Sequence, residues 1–418
     1  MRPTMHLVER FAGFAEDLRG KPLSPEVAHH ARRAVIDWHA ALYAGSVMPP
    51  ATLLGKAFAD KNPRTAALIN GSAAHTAEVD DIFRDGIYHP GAPTIAAVHA
   101  FGMERKNFLR AVVVGYEIST RIGAAMGRAH YRYWHNTGTI GCFGAAAACA
   151  ELLGLERARF AHALATVATF SAALQQAFRM DSMSKPLHAG RAAEAGVEAA
   201  LMAREGVTGS LDILEGEAGF GRAMGDNPDW EKAFATLGRE FNITRMTFKN
   251  HSCCGHTFAA IDGALELKKR MGVAARDIGS VEVATYRAGL DVAHYENPQT
   301  PAEARFSMKY VVATALTHGN VRLAAFSEDR IRDRGTRDLM SRIHVSLAPD
   351  LDAAFPSQRA ARVTINGQQW LQPTRIGDPD APLSDAQLED KYRELAGPVI
   401  GDGEAQKLLE RLWRLPAD

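Results

Sequence analysis

Residues 135–155 read HNTGTIGCFGAAAACAELLGL, and residues 185–206 read KPLHAGRAAEAGVEAALMAREG. Each opens on groups that titrate or carry charge, His135 in the first and Lys185 with His188 in the second. Each then runs into a stretch made almost wholly of Gly and Ala. Alanine is the strongest helix former, and side chains this small let neighbouring backbones pack closely. A His or Lys just ahead of such a helix stands near its positive end, where anions are favoured. The pair of segments predicts an anion-binding site on an all-helical scaffold.

Working outward, the first ~240 residues keep that character. Ser24 is placed to cap a helix with Pro25 at its first position, and PEVAHHARRAVIDWHAALYAG ends at Gly45. Further helical stretches are expected near 91–103, 107–127, 138–153, 156–178, 188–205 and 228–239. The character changes at residue 241. FNITRMTFK (241–249), SVEVATYR (280–287), RIHVSLAP (342–349) and AARVTINGQQW (360–370) alternate with strand period, giving four expected strands. Helices are expected over FAAIDGALELKKRMG and over about 303–318. Ser384 and Gln387 have capping-box spacing before a return to helix. The predicted fold is mainly α: a large all-helical domain of 1–240 plus 375–418, with a smaller α+β lid domain of 241–374 inserted in it.

The 418 residues carry zero formal net charge and 46% apolar residues, which describes a globular chain with a sizeable core. The missing basic excess argues against nucleic acid and anionic membrane as partners. No membrane-span pattern or secretory signal pattern is read, so a cytoplasmic location is the expectation. Four cysteines occur without a CxxC spacing, so no structural zinc site, and no metal, is expected. Neither a phosphate-cradling GxGxxG, a Walker loop nor a GxSxG elbow is present.

Several groups offer chemistry. EVDDIFRDGIYHPGAP brings Glu78, Asp80, Asp81 and Asp85 close in sequence to His89, which feeds a helix start; carboxylate holding or acid–base work competes with plain capping. His135 precedes Thr137, whose hydroxyl either meets an anion or caps the helix. Pro186 is read as ending the preceding helix, which leaves Lys185 in a turn beside His188. Lys249, read as closing a strand, leads into NHSCCGHTF with His251, Cys253, Cys254 and His256. Three readings compete there: a substrate cation with a neighbouring acid or base, metal ligation by Cys and His, and a structural turn. Tyr295 and Arg305 complete the set; a substrate carboxylate and a salt bridge to Glu303 are equal alternatives for Arg305.

Six segments in order resemble the MmgE/PrpD family. They are the acid cluster with HPGAP, GYEISTRIGAAMG (115–127), the two Gly/Ala segments, FKNHSCCGHTFAAIDGALEL (248–267) and EARFSMKYVVATAL (303–316). The resemblance implies a helical domain with an α+β lid, a homodimer, and a site between the domains. It implies no cofactor in the decarboxylase and epimerase branches. By motif position it implies catalytic roles for His89, His135, Lys185, Lys249 and Tyr295. Glu78, Asp81, Thr137, His188, Cys254, His256 and Arg305 are candidate substrate contacts. Some decarboxylases of the family carry a His five residues past the lysine matching Lys249; here Cys254 stands there, with His256 two further on. The implied substrate is a small di- or tricarboxylic acid. Dehydration is the first expected reaction, with decarboxylation and epimerisation as alternatives. A non-catalytic carboxylate binder is the alternative of another class.

Overall fold

The computed structural model describes residues 5–178 and 182–417. It divides into two compact units, Met1–Thr247 with Ser384–Asp418, and Phe248–Leu383. Mainly helical structure with one small sheet agrees with the fold class read from composition and period. None of the described helices is long and apolar enough to cross a membrane.

The first unit is built around Gly141–Leu152, a helix buried on every side, as a helix apolar all round but for Glu151, which pairs with Arg19, must be. Phe108–Tyr131 packs on one side of it and Ser184–Arg204 on another; the latter also lies along Pro63–Ala74. Small residues make these approaches possible. A Cβ on Gly190 would stand 2.1 Å from Ser72 Oγ and 2.2 Å from the Leu68 carbonyl oxygen, and one on Gly196 would stand 2.3 Å from Ala145 Cβ. The small side-chain volume of the two Gly/Ala segments therefore permits the close backbone approach expected of them.

Caps set the helix starts where the sequence places them. Ser24 accepts from Val27 N with Pro25 at the first position of Pro25–Ser46, and Ser384 with Gln387 forms a reciprocal capping box on Asp385–Ile400. That last helix joins the first unit through a buried ion pair. Lys391 Nζ lies 2.5 Å from Asp37 Oδ1 and 2.6 Å from the Val79 carbonyl oxygen.

Several expected ends differ. The 91–103 stretch stops at His99, and the 156–178 stretch stops at Ala168, with only a 3-10 turn at Gln175–Phe178. The helix expected over 228–239 is confined to Trp230–Phe234. The one expected from 107 runs on to Tyr131 across a break at Gly127, whose φ of 65° is left-handed. The helix expected from 188 begins at Ser184. Pro186 does not end anything: it occupies the third position of that helix, where a backbone N–H has no intrahelical acceptor and none of the helix's hydrogen bonds is lost. Lys185 is thus on a first helical turn, not in a loop.

The second unit holds a four-stranded sheet in the order β2-β1-β3-β4, with β1 Val281–Thr285, β2 Ile343–Leu347, β3 Ala361–Ile365 and β4 Gln368–Gln372. β1 runs parallel to β2 and antiparallel to β3. Val281, Val283, Val363 and Ile365 face a core shared with Phe258, Ile261 and Leu267 of Phe258–Met271 and with Val311 and Val312 of Met308–His318. The count of four strands is right, but the set is not. Residues 360–370 hold a hairpin, because Asn366 and Gly367 take φ of 48° and 82°, the left-handed pair a two-residue turn demands.

The strand expected at 241–249 is absent. Asn242–Arg245 is a 3-10 turn, and Thr247 makes an isolated bridge to Ile82. Side chains of the first unit take the backbone partners that a neighbouring strand would supply. Glu117 Oε1 accepts from Ile243 N at 3.2 Å, and Arg121 Nη2 donates to the Glu240 carbonyl at 2.7 Å. Those groups being satisfied, the alternating pattern has no sheet to join.

Candidate active site

In the first unit, one helix end, one loop and three helix starts bring titratable side chains to one place. His75 is the C-cap of Pro63–Ala74. The loop from Glu78 to His89 folds back on itself through Phe83 and Tyr88, and His89 enters Gly91–His99. His135 caps the single turn Asn136–Thr139, and Lys185 and His188 lie on the first turns of Ser184–Arg204. Glu78 and Ile87 both hold positive φ, 59° and 52°. That backbone is uncommon for a side chain with a Cβ, and more so for a β-branched one.

The side chains interlock. His75 Nδ1 lies 2.7 Å from Asp80 Oδ2, and His89 Nδ1 lies 3.1 Å from the same oxygen. His75 stacks on His135 with 5.5 Å between ring centres and meets His89 edge-on at 4.7 Å. His135 Nδ1 is 3.0 Å from His188 Nδ1, and the edge of Phe178 closes on the His135 ring at 4.7 Å. Lys185 pairs with Glu78 and stands 5.7 Å from the centre of the Phe178 ring. Thr137 Oγ1 accepts from His89 N at 3.3 Å, so the buried hydroxyl ties the two histidine-bearing starts together.

Burial dominates the electrostatics. It lowers His135 well below the ordinary imidazole range, and His75, Lys185, His188 and His89 add to the effect. His188 is lowered to about 4 by burial, then by His75 and Lys185. His75 is lowered by burial against the pull of Asp80. For Asp80, burial pushes upward, but His89 and His75 outweigh it and hold the carboxyl well below its usual value. The result is a carboxylate near three imidazoles, of His75, His135 and His188, that burial biases toward their neutral form, with one ion pair at the edge.

Asp81 lies elsewhere. Its Oδ1 accepts from Gly91 N at 3.0 Å and its Oδ2 is 2.8 Å from the Tyr116 hydroxyl. Burial, with Asp37, pushes it to about 8. Both oxygens are engaged in fixing the start of Gly91–His99. Asp85 is exposed, 3.6 Å from Arg245. Sequence reading missed His75 and passed over Asp80 in favour of its neighbours. The available signal was the spacing of five residues between them at a helix end.

The second unit separates the residues of its motif. His251 Nε2 is 2.8 Å from Asp262 Oδ1, whose other oxygen accepts from Ile376 N. Cys253 Sγ is 3.3 Å from Thr257 Oγ1. His256 Nδ1 is 2.9 Å from the Tyr286 hydroxyl, and burial lowers the ring to about 3. His251, Cys253 and His256 thus face three different partners instead of one ion. Lys249 is buried and Cys254 half-buried; Cys254 N donates to the Arg305 carbonyl at 3.0 Å. Tyr295 is exposed and stacks on His294, with its N–H donated to the Phe306 carbonyl. Lys249 does not close a strand, since none forms there. Among the described residues, the group with metal-ligand chemistry is His75, Asp80 and His89, whose ligand-type atoms all lie within 4.8 Å.

Comparison with known proteins gives a consistent result. A model of the MmgE/PrpD N-terminal domain matches residues 9–233, and one of the C-terminal domain matches residues 251–415. The cis-aconitate decarboxylase of Homo sapiens is 25% identical over 438 residues, spanning 97% of this chain and 90% of that protein. A cis-aconitate decarboxylase-like protein, oryM, of Aspergillus oryzae is 24% identical over 97% of this chain and 94% of its own. The cis-aconitate decarboxylase of Mus musculus is 23% identical over 98% and 90%.

Proposed function

Since the chain belongs to the MmgE/PrpD family, we propose that it is a lyase acting by acid–base chemistry on a small di- or tricarboxylic acid. The observation that carries this reading is the chain of four imidazoles, two of them on the Asp80 carboxylate, beside the Lys185–Glu78 pair. Carbon next to a carboxylate becomes electron-rich whether CO2 leaves from it or a proton is removed. Fixed cations stabilise that charge, and imidazoles near their neutral form exchange the proton. We assign His89 and His135 to proton transfer and Lys185 to a substrate carboxylate. In the second unit we assign Lys249 and Tyr295 to substrate contact.

Decarboxylation is our first reading of the reaction, because three relatives covering nearly the whole chain carry that name. In it the C–C bond to the departing CO2 breaks, its electron pair stays on carbon, and an imidazolium or water supplies the proton. Dehydration is the second reading. It is favoured by Cys254, at the position where some decarboxylases of the family carry a His. There a base takes the carbon-bound proton and an acid protonates the leaving hydroxyl.

The test is incubation in D2O with cis-aconitate, 2-methylcitrate and iminodisuccinate, read by mass. Loss of CO2 with one deuterium gained supports the first reading, and loss of water the second. Deuterium gain at unchanged skeleton identifies an epimerase. No turnover and no exchange with any of the three leaves a carboxylate binder. Lys185→Ala and Lys249→Ala should each weaken citrate binding about 10- to 150-fold by calorimetry, the loss of one charge-assisted contact. Unchanged affinity in both removes them from the site.

A further inference from the structure

The carboxylate at the centre of the cluster has a geometry with a consequence for its neighbours. Asp80 is 1% exposed and His75 is fully buried. Asp80 Oδ2 faces the Nδ1 atoms of both His75 and His89, at 2.7 and 3.1 Å. An ionised carboxylate only accepts hydrogen bonds. Two ring nitrogens this close to one such oxygen are compatible with it only when each carries a proton.

We infer that Asp80 is a positioning residue that fixes the Nδ1–H form of His75 and His89, so that Nε2 is the nitrogen His89 offers to a substrate. His75 acts with it as a second positioning residue, stacked on His135 at an interplanar angle of 20°. The contact to His75 is the tighter one; His89 Nδ1 stands off the hydrogen-bond axis, as catalytic contacts do before a ligand closes on them. Among the described residues His75 Nε2 is buried without a partner, so none of them offers a competing acceptor that draws the proton to that side. The other groups facing the cluster are Glu78, Lys185, His135 and His188. Glu78 is paired with Lys185, and His188 faces His135.

The same three residues pose a competing assignment, a metal site of two histidines and one carboxylate. The spacing favours hydrogen bonds. Ligands on a tetrahedral ion with bonds of about 2.0–2.1 Å stand about 3.3 Å apart, and cis ligands on an octahedral one about 2.9 Å apart; the 2.7 Å contact of His75 to Asp80 Oδ2 is shorter than both.

The experiment has one arm independent of catalysis. Protein labelled with 15N-histidine is examined by NMR near neutral pH, with resonances assigned through single His→Gln variants. Nδ1 protonated and Nε2 bare at both rings is the expected result. A proton on Nε2 at either ring overturns the inference. So does stoichiometric binding of added Zn2+ that is lost in Asp80→Ala.

The kinetic arm rests on the acid–base reading above. Asp80→Ala should lower kcat about 10²–10⁴-fold and flatten the acid limb of the pH profile, with KM within about threefold. Asp80→Glu should restore part of kcat. A residue that merely supports the fold would change the folded fraction and leave the pH profile of the folded enzyme as it was; that outcome too overturns the inference. Should no substrate turn over, the reaction assignment falls and the tautomer assignment stands or falls on the spectrum alone. Should Asp80→Ala not fold, the spectrum of the natural protein decides.

Discussion

His135 and His188 are kept neutral by burial and by the company of imidazoles and a lysine, and a bound polyanion reverses that balance. Carboxylates arriving beside the rings replace repulsion by attraction, which raises the imidazole pKa. Binding itself then loads the cluster with a proton. Citrate binding at pH 7 should therefore take up protons, seen as a binding enthalpy that varies with the ionisation enthalpy of the buffer. Uptake that vanishes in His135→Gln places the proton there; no uptake in the natural protein refutes the argument. A second prediction at this scale concerns Asp81, whose pKa is about 8 in the fold against about 3.9 in an unfolded chain. The folded state binds the extra proton between those values, so this residue's contribution to stability is lost as pH rises from about 4 to about 8. Asp81→Asn, neutral and of the same shape, should bring urea midpoints measured at pH 5.5 and pH 8 closer together. An unchanged gap would show that the carboxyl is ionised throughout.

At the scale of elements, the legible features were those whose cause is local. Ser24 with Pro25 and Ser384 with Gln387 set helix starts by their own hydrogen bonds, and the Gly/Ala segments announced close packing by their volume. The illegible ones depend on partners far away in the chain. FNITRMTFK alternates like a strand, yet Glu117, over 100 residues earlier, takes the Ile243 N–H, and Arg121 takes the carbonyl of Glu240 just ahead of the segment. Asp80 and Asp81 are adjacent and chemically alike; that one faces two histidines and the other Tyr116 is a matter of where the loop lands. Packing also separates two glycines that look equivalent in sequence. Gly190→Ala should cost about 1–3 kcal/mol or more, since the added methyl meets Ser72 and the Leu68 carbonyl oxygen. Gly55→Ala, in the exposed helix Ala51–Ala57 with nothing within 4 Å, should gain about 0.5–1 kcal/mol. Equal urea midpoints for the two variants would contradict the packing described.

At the scale of the whole molecule, residues 384–418 return to the unit that residues 1–247 begin. The Lys391–Asp37 pair is buried at that junction, with both side chains under 5% exposed. Lys391→Met should destabilise the protein by about 3–5 kcal/mol, because Asp37 is left in the interior with its partner gone. Burial already pushes the Asp37 carboxyl upward and Lys391 opposes it, so the variant's loss should shrink as pH falls. Adding Asp37→Asn to Lys391→Met should recover much of the stability. A double variant no better than the single one would show that lost packing, not the stranded charge, is responsible.

The same ion pair sets a timetable for synthesis. Its partners are 354 residues apart, and a ribosome adding about 5–20 residues per second needs about 20–70 s to travel between them. Throughout that interval Asp37 has emerged and Lys391 has not. The helices around Asp37 therefore wait with an unneutralised acid at a position destined for the interior, while residues 248–383 are made complete in between. For this chain, the first unit stays without its Asp385–Ile400 helix until residues 248–383 have been made.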